Sequence, residues 1–266
     1  MDTKTYLEVY KEHSGFVSHK WIHYFFIYDR IFGRFLEKGK PITMLEIGVQ
    51  NGGSLEIWKK YLPPNSVIYG VDIDERCLQL KFSDGISFHL GSAADDNFMR
   101  KTFGDIQFDV IIDDGSHICK DVIQTFECLF PKMKNGGCYI VEDMHTSYWN
   151  EFGGGLGCKK SSIEYFKRLV DRGINRDYIS LGLLDRIKNK LSKHKKCNSE
   201  INKMISQISF FDSICAIDKF YGVKEMPFKN VVTGEVALVD KDPTELKITI
   251  SDRQNEINAT KKLFCG

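Results

Sequence analysis

Two kinds of apolar pattern alternate along the chain. In some stretches apolar residues follow one another and then stop abruptly at a polar cluster; in others they recur every three or four positions. The first pattern predicts buried parallel strands and the second amphipathic helices. Tyr6, Val9 and Tyr10, then Trp21, Phe25, Tyr28 and Phe32, have helical spacing and predict a helical preface over residues 1–40. Pro41 restricts Lys40 and closes it. "ITMLEIGV" (Ile42–Val49) predicts the first strand and "GGSLEIWKKYL" the next helix, with Ser54 near its start and Pro63-Pro64 beyond its end. "SVIYGVDID", "ISFHLGSAADD" and "FDVIIDDGSH" predict strands two to four. "CKDVIQTFECLFPKMKNGG" predicts a helix and then a turn, and "CYIVEDMHTSYW" a fifth strand.

Beyond it come a glycine-rich loop, "EFGGGLG", a helix from Ser162 to Val170, and a sixth strand in "ISFFDSICAIDKF". "EVALV" and "LKITIS" suit a final strand pair. Strands separated by helices imply an α/β fold: a doubly wound, mostly parallel sheet with helices on both faces. The expected organisation is the preface (1–40) and a main domain (41–266), with 151–205 inserted on the substrate side after strand five.

The chemistry collects where strands end, which in open α/β sheets is where ligands bind. Strand one ends in Glu46 and Gly48, followed by Asn51, Gly52, Gly53 and Ser54. Strand two ends in Asp72 and Asp74, strand four in Asp113, Asp114 and His117, and strand five in Glu142, Asp143 and His145. The glycines form neither a clean GxGxxG nor a Walker loop. With Asp72 placed to accept ribose hydroxyls, they suit an adenosine-containing ligand, leaving a dinucleotide and S-adenosylmethionine both open. Singly, they also fit ordinary turn glycines and a helix cap. Asp114, Glu142 and Asp143 offer hard oxygens suited to Mg²⁺, and their mutual repulsion calls for a cation. His117 is placed to take a proton from a substrate hydroxyl. The plainer alternative has Asp113, Asp114 and Ser116 capping the next helix and His117 at the surface.

Composition narrows this. The 266 residues are 42% hydrophobic, enough for one large domain, and a formal charge of +1 argues against a nucleic-acid binder. Eight cysteines without a CxxC pair, and no leader peptide, predict reduced thiols in the cytoplasm. "WIHYFFIYDRIF" is interrupted by His23, Asp29 and Arg30 and is too short to span a bilayer. The basic run Arg186–Lys196 reads first as a solvated face; contact with a phosphate-bearing acceptor or an anionic membrane surface is the alternative, and without interleaved aromatics it does not suggest nucleic acid. Trp21, Tyr24, Phe25, Phe26 and Tyr28 predict packing or a homo-oligomer interface rather than a pocket wall. Trp58 is expected to pack its helix on the sheet, and Cys119 and Cys138 to be small buried residues.

"MLEIGVQNGGSLEIWKKYLP", "IYGVDID", "FDVIIDDGSH" and "GGCYIVEDMHTSYW" together resemble the class I S-adenosylmethionine-dependent methyltransferases. More narrowly, they resemble the metal-dependent sugar O-methyltransferases typified by the macrocin and mycinamicin enzymes. "HKWIHYFFIYDRIF" is similar to that family's opening helix. The resemblance implies a Rossmann-like enzyme in which Asp114, Glu142 and Asp143 hold Mg²⁺ and His117 is the general base. Glu46, Gly48 and Asp72 would surround the methionine part and ribose of S-adenosylmethionine, with Asn51, Gly52, Ser54 and Asp113 on the same cofactor. Ser92 and Asp95 would lie near its adenine. His145, Tyr148 and the "EFGGGLG" loop would border the acceptor sugar. Where those enzymes carry a substantial N-terminal domain, only residues 1–40 precede strand one here, and Lys159 to Lys203 does not align. The acceptor therefore stays open between a sugar of a glycan precursor or glycosylated metabolite and a catechol-type small molecule. A nicotinamide-dependent oxidoreductase and a non-catalytic binding module are the rival classes.

Overall fold

In a computed structural model, described for residues 4–175 and 195–220, the apolar runs become the strands of one seven-stranded sheet. They are β1 (Thr43–Ile47), β2 (Val67–Asp72), β3 (Ile86–Leu90), β4 (Phe108–Asp113), β5 (Met133–Val141), β6 (Ile205–Phe210) and β7 (Cys215–Lys219). Their spatial order is β3-β2-β1-β4-β5-β7-β6. β1 to β5 are parallel neighbours, and β7 runs antiparallel to both β5 and β6. This is the expected doubly wound, mostly parallel sheet.

Pleating sends neighbouring side chains to opposite faces, and both faces are covered. Met44, Val110, Ile112 and Ile140 face α1 (Tyr6–Lys11), α2 (Tyr24–Leu36) and α3 (Gly53–Tyr61). Leu45, Ile111, Tyr139 and Val141 face the other layer. That layer contains α4 (Asp96–Phe103), α5 (Cys119–Leu129), α6 (Ser162–Leu169) and α7 (Lys195–Met204). Tyr24, Phe25 and Tyr28 are buried as the stripe predicts, whereas Trp21 and Phe26 remain 49% and 71% exposed. Tyr6 and Phe32 stack on either side of the Trp58 system at 4.1 and 4.7 Å, so the preface helices share a core with α3.

Three local expectations change. The preface is not helical throughout: α1, started by a Thr5–Glu8 capping box, ends at Lys11, and a loop leads to α2. Ser14-Gly15 breaks the pattern, and Glu56 of α3 instead accepts the Phe16 N–H at 2.8 Å. The "KMKNGG" stretch expected as a turn is the first half of β5. The single sixth strand is a hairpin, β6 and β7, because Ser213 turns the chain with φ 62°. The strand pair at "EVALV" and "LKITIS" falls outside the described residues, as does the basic run up to its last two residues, Lys195 and Lys196, which open α7. Among the described residues, no helix is long and apolar enough to cross a membrane, and Cys77, Cys119, Cys138, Cys158 and Cys215 are free thiols.

Candidate active site

The sheet register brings the acidic strand ends together. Ile47 of β1 pairs with Asp113 of β4, and Asp113 pairs with Val141 of β5. The next residues stay joined: the Asp114 N–H donates to Ile47 O, and the Glu142 N–H to Asp113 O, both at 2.9 Å. Asp114, Glu142 and Asp143 therefore emerge side by side. Pleating separates Asp113 from Asp114. Asp114 lines a cleft of about 380 Å³ with Lys20, Trp21, Gly48, Ser54, His117 and Asp143, whereas Asp113 lines an adjoining cavity of about 210 Å³ with Ser92, Asp121 and Thr125. Gly48, Asp72 and Gly115 border both.

His117 Nε2 lies 3.8 Å from Asp114 Oδ1 and 3.6 Å from Asp143 Oδ2. Ligand atoms of Asp114, His117 and Asp143 fall within 4.8 Å of one another. His117 and Asp143 both adopt left-handed backbone, with φ of 55° and 51°. Side chains other than glycine seldom do so without a functional or local reason. The Tyr24 hydroxyl fixes Asp143 by donating to its Oδ1 at 2.6 Å.

Glu142 also lines the cleft, but its carboxylate is held by partners from the preface. Its carboxylate accepts from the Tyr28 hydroxyl and from Lys20 Nζ, at 2.7 and 2.8 Å to its two oxygens. Lys20 also donates to Asp114 Oδ2 at 2.6 Å, and its side chain is only 3% exposed. Burial alone would lower the pKa of this ammonium, but Glu142, Asp114 and Glu46 together hold it well above the usual lysine range. Lys20 is the site residue that sequence reasoning missed; its only sequence signal is the polar "SHK" immediately before the aromatic stripe.

One ammonium does not balance these acids. Burial pushes the Glu46 carboxyl up to about 7; its Oε2 accepts from the Ser54 hydroxyl, while Oε1 makes no hydrogen bond and faces Lys20 Nζ at 3.9 Å. Burial, then the charge of Asp114, also raises Glu142. Hard carboxylate oxygens in excess of the cations beside them are a donor set that fits a small divalent ion.

The other expected residues divide. Asp72 is a bracket for the glycine loop: its Oδ2 accepts the N–H groups of Val49 and Gln50, and its Oδ1 that of Asp74. Gly48, Ser54, Ser92 and Asp113 line the two cavities. Asn51, Gly52, Asp95, His145 and Tyr148 line neither. Asn51 is exposed, Gly52 turns with φ 85° against Phe82, and Asp95 caps α4 through the N–H groups of Asn97 and Phe98. His145 is bound to Ser213 Oγ through Nδ1, and Tyr148 is exposed.

Burial also raises the Asp113 carboxyl, to about 7, against the Tyr139 hydroxyl that donates to it. A raised acid stabilises the fold below its unfolded pKa, near 4, and loses that contribution as pH climbs through about 7. Asp113→Asn is therefore expected to gain melting temperature relative to wild type between pH 5 and pH 8. A difference that stays constant across that range would refute the shift.

Comparison with known proteins agrees with this geometry. Residues 45–144 match the family model described as a methyltransferase domain. The 8-demethyl-8-alpha-L-rhamnosyl tetracenomycin-C 2'-O-methyltransferase of Streptomyces olivaceus is 36% identical over 165 residues, 58% of this chain and 42% of its own. The mycinamicin VI 2''-O-methyltransferase of Micromonospora griseorubida is 36% identical over 159 residues, covering 54% of this chain and 38% of its own. The chain thus spans about two fifths of the length of these relatives. The solved MycE methyltransferase from the mycinamycin biosynthetic pathway, in complex with Mg and SAH, superposes with a TM-score of 0.67 at 27% identity, over 82% of this chain and 55% of that one. Residues 45–144 thus match a methyltransferase domain on a sheet shared with MycE, and the chain is similar to O-methyltransferases named for tetracenomycin-C, mycinamicin VI and demethylmacrocin.

Proposed function

We propose that this protein is an O-methyltransferase that moves a methyl group from S-adenosylmethionine to a sugar hydroxyl and depends on Mg²⁺ held by Asp114, Glu142 and Asp143. The observation that carries the reading is the convergence of more buried carboxylate than Lys20 neutralises, beside a histidine held in left-handed backbone. When bound, Mg²⁺ would acidify a nearby hydroxyl and S-adenosylmethionine would bring an already activated methyl. The chain's own part is then alignment and proton removal. His117 Nε2, at the cleft, accepts the hydroxyl proton, and the neighbouring Asp114 and Asp143 carboxylates stabilise the imidazolium that results. Asp72 fixes the loop around Gly48 and keeps one acceptor site, on Oδ1, for a ribose hydroxyl.

The acceptor proposed is a sugar in a glycan precursor or glycosylated metabolite, in keeping with the sugar substrates named for the relatives. A cytoplasmic location belongs to the same reading. So does a homo-oligomer, in line with the exposed Ile22 and Phe26. Calorimetric titration with S-adenosylmethionine and with NADH, followed by a labelled-methyl screen of nucleotide sugars, macrolides and catechols, tests it. Binding of S-adenosylmethionine alone is expected, with sugar methylation abolished by EDTA and restored by Mg²⁺. Binding of NADH instead, or full rates in rigorously metal-free enzyme, would refute it.

A further inference from the structure

We propose that Lys20 is the resident counter-cation of the acid cluster and withdraws when a divalent cation binds. This rests on the metal reading above and concerns the chain's own response to the ion. An ammonium has three N–H donors, and here they are directed at carboxylates: Asp114 Oδ2 at 2.6 Å and the two oxygens of Glu142 at 2.7 and 2.8 Å. These are two of the three acids assigned to the ion. The same lone pairs cannot serve both the ammonium and a metal.

Buried acids without a counter-charge would be costly, so the lysine would hold the cluster together in metal-free protein. A divalent ion carries twice the charge into the same low-dielectric site and attracts each carboxylate more strongly than the ammonium does. The lysine is also built to leave. It sits on the loop between α1 and α2 rather than on a regular element. That loop is pinned at Val17, whose carbonyl accepts the Gly53 N–H at 3.3 Å, and again at Trp21, whose carbonyl accepts the Tyr24 N–H at 3.0 Å. Between these pins, Ser18, His19 and Lys20 make no backbone hydrogen bond among the described residues. All three line the cleft, so a flexible four-carbon stem has an open path for its head group.

Amine acylation of the full chain, read at Lys20 by peptide mass spectrometry with and without saturating Mg²⁺, tests withdrawal directly. The buried Lys20 is expected to react slowly in EDTA and at least several-fold faster with the ion. In parallel, Mn²⁺ affinity and melting temperature are measured for wild type, Lys20→Met and Lys20→Arg. Lys20→Met is expected to bind Mn²⁺ about tenfold more tightly, since no ammonium must be displaced. It should melt earlier than wild type in EDTA and recover with Mn²⁺, whereas Lys20→Arg keeps the counter-charge and the metal-free stability. Mn²⁺ binding to wild type with unchanged Lys20 acylation would overturn withdrawal alone, as would weaker binding by Lys20→Met. Failure of both wild type and Lys20→Met to bind Mn²⁺ would overturn this inference together with the metal assignment.

Discussion

Replacing His117 with alanine is expected to slow methyl transfer by about 10²–10⁴-fold, the usual contribution of a positioned general base. S-adenosylmethionine binding should survive. The imidazole lines the cleft and faces two of the assigned metal ligands, with Nε2 3.8 Å from Asp114 and 3.6 Å from Asp143. Its backbone φ of 55° is unfavourable for alanine, so part of any loss could come from local strain. Asparagine tolerates that conformation and lacks the base. His117→Asn should therefore lose as much turnover as His117→Ala while keeping wild-type melting temperature. An Asn variant that turns over normally with metal and acceptor saturating would remove His117 from the chemistry.

Gly48→Ala should damage the fold and the site together. Gly48 has φ 86°, where a side chain is strained, and an added Cβ would lie 2.0 Å from the Asp114 carbonyl oxygen and 3.1 Å from Gly115 Cα. Neither strand end can yield easily. The Gly48 N–H is bonded to Val71 O, and the Asp114 N–H to Ile47 O, each at 2.9 Å. Relief would pull β1 from β4 and carry Asp114 away from Glu142. A loss of about 3 kcal/mol is expected from backbone strain and overpacking combined. Denaturant melts would show it, and calorimetry should show weakened S-adenosylmethionine binding. Native stability with unchanged affinity would contradict the close approach.

The legible parts of the sequence were those set by local physics. Uninterrupted apolar runs could only be buried strands, so β1, β2 and β4 and the acids at their ends were readable, and the sheet made those acids neighbours. The stripe of Tyr24, Phe25 and Tyr28 likewise foretold burial. Contacts between distant segments were not readable. Lys20 meets Glu142 across 122 positions, and nothing in a short polar loop announces where its one cation will go. The start of β5 was hidden because Asn135, Gly136 and Gly137 carry turn chemistry, which register with β4 overrides. The β6–β7 hairpin was hidden for the opposite reason: "FDSI" interrupts a run of strand composition too briefly to read as a turn. In the structure Asn51 is exposed and Asp95 caps α4, positions that follow from tertiary context rather than from spacing. His145 is held by Ser213, a partner 68 positions away.

The central claim is that carboxylates from the ends of β4 and β5 share one divalent cation beside His117. Diffraction from Mn²⁺-loaded crystals, recorded at the manganese absorption edge, tests it most directly. An anomalous peak bounded by Asp114, Glu142 and Asp143 is the predicted result. No peak there, from protein that still transfers methyl groups in the same buffer, would contradict it.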